Sequence, residues 1–179
     1  MDLDLSHFLT ERWSLLLPEQ IVRAAYVQFR RVIVTTHMEA ESGTMLHLAA
    51  SVVPDIPIVC LKDPTFNPEY AEHLRKELRL NLHVYEYTGD KLKALVFHCK
   101  QFGAEAMIHG IRRDQTSNRL HKRMVERGKL DGLYRVHPIL DWTQADTQLY
   151  SERHKLPKHP TLMPKADRTE CGIHCFLRT

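Results

Sequence analysis

The chain has 179 residues, 43% of them apolar and 26% charged, which suits one well-buried domain and is too short for two. That composition argues against disorder, and no apolar run approaches the roughly 18–20 residues that a membrane-spanning helix needs. The net charge of +3 is unevenly spread: residues 1–110 carry 11 basic and 14 acidic side chains, residues 111–179 carry 14 basic and 8 acidic. A basic carboxyl-terminal third suits an anionic small ligand as well as nucleic acid. The opening Met1-Asp2-Leu3-Asp4-Leu5 is acidic and lacks the basic start and apolar core of a signal peptide, so a cytoplasmic location without a membrane partner is expected. Four cysteines (Cys60, Cys99, Cys171 and Cys175) are too few and too scattered for a disulfide scaffold.

The apolar pattern then alternates between helical and strand-like periods. A helix is predicted from about Pro18 to Phe29, with Ile21, Val22, Ala25 and Phe29 on one face. Arg31 to Thr36 is a β-branched run too short for a helix, hence a buried strand. Met45, Leu48, Ala49 and Val52 mark a second helix, and Ile56 to Leu61 a second strand. Asn67 and Pro68 supply an N-cap and a first-turn proline for a helix through Leu78. Leu80 to Tyr87 is a third strand. Asp90 caps a helix with Leu92, Leu95, Val96 and Cys99 on one face, closed by Gly103. Ala106 to His109 is a fourth strand, Lys122 and Arg123 fall on a further helix, and Val136 to Leu140 forms a fifth strand despite Pro138. Thr143 begins a last helix to about His154, and beyond Leu156 the periodicity stops. The alternation predicts an α/β fold, a mostly parallel five-stranded sheet with helices on both faces. In such sheets ligands sit beyond the carboxyl ends of the strands, which singles out the loops after Thr36, Leu61 and His109.

The first loop, Thr35 to Thr44, leaves a strand with two threonines and enters a helix through Ser42-Gly43-Thr44. Its hydroxyls and amides suit a phosphate, although an ordinary capped turn fits as well, and neither GxGxxG nor a Walker loop is present. In the second loop Asp63 suits a ribose hydroxyl or an adenine amine and Phe66 suits stacking, unless both serve a local turn. The third, Gly110-Ile111-Arg112-Arg113-Asp114-Gln115-Thr116-Ser117-Asn118-Arg119, gathers three guanidiniums, groups that bind phosphate and sulfate oxygens bidentately. Asp114, Glu126 and Asp141 are acids near enough to pair with one of them but not with all three.

Near the end stands Glu170-Cys171-Gly172-Ile173-His174, a cysteine in basic surroundings. Positive charge lowers a thiol's pKa and makes the thiolate, the form that attacks sulfur. A zinc site from His154, His159, Cys171, His174 and Cys175 has suitable spacings but not those of a standard finger, and a plain surface thiol is the other alternative. Cys60 and Cys99 fall on core positions of a strand and a helix and read as packing.

Taken in order, these pieces resemble the phosphoadenylyl-sulfate (PAPS) reductase family, the adenylyl- and phosphoadenylyl-sulfate reductases with a Rossmann-like, adenine nucleotide alpha-hydrolase-like fold. The match includes the loop and helix from Thr35 to Leu48, Pro54 to Ile58, Leu80 to Tyr85, the GIRRDQTSNR loop, Pro138 to Trp142, His159-Pro160 and ECGIH. The resemblance implies a nucleotide-binding domain over 1–156 and a flexible tail over 157–179 carrying the catalytic Cys171. Cys171 and His174 would be catalytic; Thr35, Thr36, Ser42, Gly43, Asp63, Gly110, Arg112, Arg113, Arg119 and Arg168 would bind substrate. The implied reaction reduces 3'-phosphoadenylyl sulfate through an S-sulfocysteine, with thioredoxin or glutaredoxin as reductant. His174 and Arg168 would lower the Cys171 pKa or hold sulfuryl oxygens. No Cys-Cys pair is present to ligate the iron–sulfur cluster of the adenylyl-sulfate branch, so no cofactor and no metal is expected. Nucleic acid is disfavoured as a partner and a homodimer is allowed.

The chain departs from the family pattern where Tyr87 to Ala104 and His159 to Arg168 are shortened and where Asp63 to Glu69 lacks a glycine. An ATP-using sulfurtransferase or adenylyl-transferring relative on the same fold, or a non-catalytic nucleotide- or nucleic-acid-binding protein, therefore stand as alternatives. Cys175, four residues after Cys171, is either a resolving thiol or a bystander.

Overall fold

Four short runs, Val32–Thr36 (β1), Ile58–Leu61 (β2), Leu82–Tyr85 (β3) and Ala106–His109 (β4), pair in parallel in the computed structural model, which describes residues 4–159. β1 and β2 are buried along their whole length, as strands covered on both faces and built from unbroken apolar runs must be, while the edge strand β3 is only partly buried. Against the five strands expected from the pattern, the sheet has six among the described residues. Val125–Arg127 (β5) and Tyr134–Val136 (β6) complete the order β3-β2-β1-β4-β6-β5, and β5 is the antiparallel member. The strand expected over Val136–Leu140 ends at Val136: the His137 amide still reaches Met124 O (2.9 Å), but Pro138 has no amide to extend the ladder. Lys122 and Arg123 belong to the lead into β5, not to a helix.

Among the described residues six α-helices flank this sheet: Leu5–Trp13 (α1), Pro18–Gln28 (α2), Ser42–Val52 (α3), Pro68–Glu77 (α4), Lys91–Gln101 (α5) and Gln144–Arg153 (α6). The expected caps are present, with Asn67 Oδ1 accepting from the Tyr70 amide and Asp90 Oδ1 from the Lys93 amide, both at 2.8 Å. α1, which the apolar pattern did not signal, covers the open edge of the sheet. Its Thr10 hydroxyl accepts from the Val125 amide (3.1 Å), so an edge group of β5 is satisfied within the fold.

Chain direction sets which face each helix covers. The path β1-α3-β2-α4-β3 steps outward one way, then α5 carries the chain back across β2 and β1 to β4. With right-handed crossovers, that reversal places α5 on the opposite face. Alternate strand residues accordingly divide: Val32, Val34, Cys60, Ile108 and Val136 pack with α1 to α4, and Ile33, Val59, Leu61 and Met107 pack with Leu95, Val96 and Cys99 of α5. Leu92, expected on the buried face of α5, is 54% exposed. Among the described residues no helix is long and apolar enough to cross a membrane. After β1 the chain turns toward β2, and after β4 toward β6 and β5, so the order of the strands reverses between β1 and β4, and the carboxyl edge at such a switch point is where a ligand crevice is expected.

Candidate active site at the switch point between β1 and β4

Residues assigned to the first loop turn out to be tied into the protein itself. Thr35 and His109 are register partners on adjacent strands, and Thr35 Oγ1 lies 2.8 Å from His109 Nδ1. Thr36 Oγ1 accepts from the Met38 amide (3.1 Å) and turns the chain. Met38 adopts a left-handed φ of 56°, which costs an unbranched L residue about 1–2 kcal/mol, and its side chain is anchored at 1% exposure. At the start of α3 the amides of Ser42 and Thr44 go to Glu39 O (2.9 Å) and Glu41 O (3.2 Å), and the Gly43 amide meets the Tyr70 hydroxyl. A Cβ on Gly43 would stand 3.3 Å from Leu74 Cδ2 and 3.5 Å from Tyr70 Oη, so the glycine accommodates close packing against α4. Hence the first-turn amides of α3 have partners in the protein.

Asp63, after β2, is also engaged. Its carboxylate accepts from the Thr65 amide (3.0 Å) and hydroxyl (2.7 Å) and faces Lys91 Nζ at 3.3 Å. Lys91 was not singled out in the sequence, yet it carries a signal. It is the first residue of α5, where the helix dipole opposes a cation, so an anion beside it offsets an unfavourable position.

The loop after β4 begins at Gly110, pressed onto α3: a Cβ there would lie 2.9 Å from Met45 Cβ. Its three arginines have separate tasks, and two of them have carboxylate partners where the pattern allowed for one. Arg112, 4% exposed, reaches Glu41 Oε2 (2.5 Å) and Asp114 Oδ1 (2.9 Å). Arg113 holds Asp141 Oδ1 (2.5 Å) and donates to the carbonyls of Leu120 and Lys122, closing the loop on itself. Arg119 pairs with the Gln115 side-chain oxygen instead of a carboxylate. Burial, and then Arg112 beside it, pull the Arg119 pKa down, while Glu39 acts the other way.

These groups converge on His37. Burial pushes its pKa down to about 4, with Lys91 and then Arg119 adding to the shift and Asp63 opposing it. A neutral imidazole, an ammonium and a guanidinium thus lie within electrostatic reach of one another beyond the carboxyl ends of the strands. Such a site can hold a multiply charged anion and stabilise negative charge that grows on it. Cys60 and Cys99 are buried, and burial pushes both thiols up to about 12, so neither supplies a thiolate at neutral pH. Arg168, Cys171, His174 and Cys175 lie outside the described residues. So does most of the zinc set considered from the sequence, and among the described residues no group of three or more His, Cys, Asp or Glu is placed to hold a metal ion.

The family model of the phosphoadenosine phosphosulfate reductase domain matches residues 88–167. The phosphoadenosine 5'-phosphosulfate reductase of Synechococcus sp. is 30% identical over 172 residues, covering 79% of this chain and 73% of its own. That of Synechocystis sp. is 29% identical over 189 residues, covering 88% and 75%. Among solved structures, the PAPS reductase of Candida auris superposes with a TM-score of 0.73 at 17% identity over 88% of this chain and 89% of its own. The U34-tRNA thiolase of Methanococcus maripaludis, at 12% identity and a TM-score of 0.57, shares the fold and covers 70% of its own chain. With its α/β architecture, its crevice between β1 and β4 and this degree of identity to the cyanobacterial enzymes, the chain belongs to the phosphoadenosine phosphosulfate reductase family.

Proposed function

We propose that this protein reduces 3'-phosphoadenylyl sulfate to sulfite and adenosine 3',5'-bisphosphate, with Cys171 as nucleophile and a thioredoxin- or glutaredoxin-type dithiol as reductant. The observation that carries this reading is that Lys91 and Arg119 lie within electrostatic reach of neutral His37 beyond the carboxyl ends of the strands, in a member of a sulfonucleotide reductase family. Residues 1–156 would bind the nucleotide, and residues 157–179 would deliver the thiol.

In the first step the Cys171 thiolate bonds to the sulfuryl sulfur and the S–O bond to the nucleotide phosphate breaks, its electron pair leaving on the phosphate oxygen. That oxygen gains charge as the bond lengthens, and Arg119 and Lys91 stabilise it there. Arg168 and His174 would orient the sulfuryl oxygens or keep the thiol ionised. In the second step a reductant thiolate attacks the Cys171 sulfur and sulfite departs with the S–S electron pair. The reductant's other thiol then opens the mixed disulfide, so two electrons come from the dithiol and Cys171 returns as thiolate.

Turnover with reduced thioredoxin, comparing 3'-phosphoadenylyl sulfate, adenylyl sulfate and ATP, tests the assignment. Sulfite release from a sulfonucleotide, abolished by Cys171→Ser with nucleotide affinity kept, is the expected result. Turnover that survives Cys171→Ser removes the nucleophile assignment, and turnover of ATP alone removes the reductase reading.

A further inference from the structure

The chain leaves α6 through Lys155, whose φ of 52° turns it sharply back toward the protein. Leu156 donates its amide to Ser151 O (2.9 Å) and is 6% exposed. It borders a cavity of about 380 Å³ lined by Ala50 and Ser51 of α3 and by Leu78 and Arg79 just after α4. The next residue, Pro157, has its carbonyl 3.9 Å from the position of a Cβ on Gly43, in the first turn of α3. His159, 9% exposed, stands edge-on against Tyr70 of the first turn of α4, ring centroids 4.6 Å apart at 73°. Both α3 and α4 follow a strand, so their first turns lie at the carboxyl edge of the sheet and their last turns at the other. The segment therefore climbs the groove between them toward the crevice. Tyr70, 3% exposed, is held in place there: its hydroxyl donates to Ala40 O (3.5 Å) and meets the Gly43 amide.

We infer that residues 155–159 are an anchored strap, and that Tyr70 and His159 are positioning residues that fix, beside the crevice, the point from which the thiol-bearing segment departs. The inference rests on the reading of Cys171 as nucleophile. The strap runs beside α3, whose 11 residues at 1.5 Å each measure about 16 Å, so releasing it withdraws the departure point from the crevice edge by a comparable distance. Misplacing a reacting group by even 1 Å costs about a hundredfold in rate, whereas nucleotide affinity comes from loops the strap does not contain.

The test uses the full chain. Single-turnover release of adenosine 3',5'-bisphosphate is followed at saturating 3'-phosphoadenylyl sulfate, with the affinity for the bisphosphate measured by calorimetry. His159→Ala and Tyr70→Ala are expected to slow the single turnover by about tenfold or more, with affinity within about twofold of the parent. Tyr70→Phe keeps the ring against His159 and is expected to retain most of the rate. A rate unchanged by His159→Ala overturns the strap, and so does a rate loss matched by an equal loss of affinity, since that is general damage to the fold. Cys171→Ser run in parallel separates the two readings. If it abolishes turnover while His159→Ala is silent, the strap alone fails; if turnover survives it, the nucleophile and the strap's role fail together.

Discussion

Replacing Arg112 and Arg119 in turn should separate stability from binding within one loop. Arg112 is 4% exposed and bridges Glu41 and Asp114, whose side chains are 28% and 36% exposed. Asp114 also accepts from the Gln144 amide (2.8 Å), so the same carboxylate ties the loop to the start of α6. Arg112→Ala leaves two carboxylates without their shared cation. Breaking a fully buried pair costs about 3–5 kcal/mol, and because water reaches these acids in part, about 2–3 kcal/mol is the fitting estimate. For a domain of this size that lowers the melting temperature by roughly 4–12 °C. Arg119 shares an amide oxygen instead, and Arg119→Ala should cost only about 1 kcal/mol of stability. On the proposed function it should also weaken nucleotide binding by the worth of one charged hydrogen bond, about 1.5–3 kcal/mol, or roughly 10- to 150-fold in Kd. Urea unfolding and calorimetric titration with adenosine 3',5'-bisphosphate measure both quantities on each variant. If Arg119→Ala unfolds as readily as Arg112→Ala and binds as tightly as the parent, the division of labour within the loop is wrong.

Gly110→Ala should lower stability by about 1–3 kcal/mol, since its new methyl would meet Met45 Cβ at 2.9 Å and that atom is fixed to α3; an unchanged urea midpoint refutes the close approach. Lys91→Met should weaken bisphosphate binding by about 1.5–3 kcal/mol while leaving the fold intact, because Asp63 keeps its two bonds to Thr65. Equal affinity in parent and variant would show that the ammonium serves Asp63 alone. Acid should destabilise the protein from about pH 6.5 downward, before its carboxylates titrate. Burial holds His109 and His137 below their ordinary 6.5 and His37 near 4, so the unfolded chain binds protons that the folded one refuses. Stability is then full above 6.5 and falls as pH drops, by about 1.4 kcal/mol per pH unit for each imidazole, until that imidazole's folded pKa is reached. His137→Leu should flatten this slope, by at most one proton, since burial lowers the His137 pKa while Glu126, 3.7 Å away, opposes the shift. A slope unchanged between pH 7 and 5 excludes His137 as a source.

The central strands were legible because Val32, Ile33 and Val34 or Ile58 and Val59 are β-branched runs that need cover on both faces. The strands at the far edge were not. Val125-Glu126-Arg127 and Tyr134-Arg135-Val136 are three residues each, mixed with charges, and their pairing depends on each other and on Thr10 of a distant helix. The arginine loop was legible as a cluster of cations, but its pairing was not. Glu41 meets Arg112 from 71 residues away and Asp141 meets Arg113 from 28, and only the β1–β4 and β4–β6 registers bring these pairs together. The functional reading of Lys91 likewise needed three dimensions, since its neighbours His37 and Asp63 leave other strands.

Among the described residues α5 is the sole helix on its face of the sheet, and the core it forms there is much the smaller of the two. Its amides should therefore exchange with deuterium through openings that leave the opposite layer closed. The first residue of that helix is Lys91, so a proposed nucleotide contact belongs to the layer expected to open first. A nucleotide held by Lys91 would bind only the closed form and would slow exchange along the whole of α5, including turns it never touches.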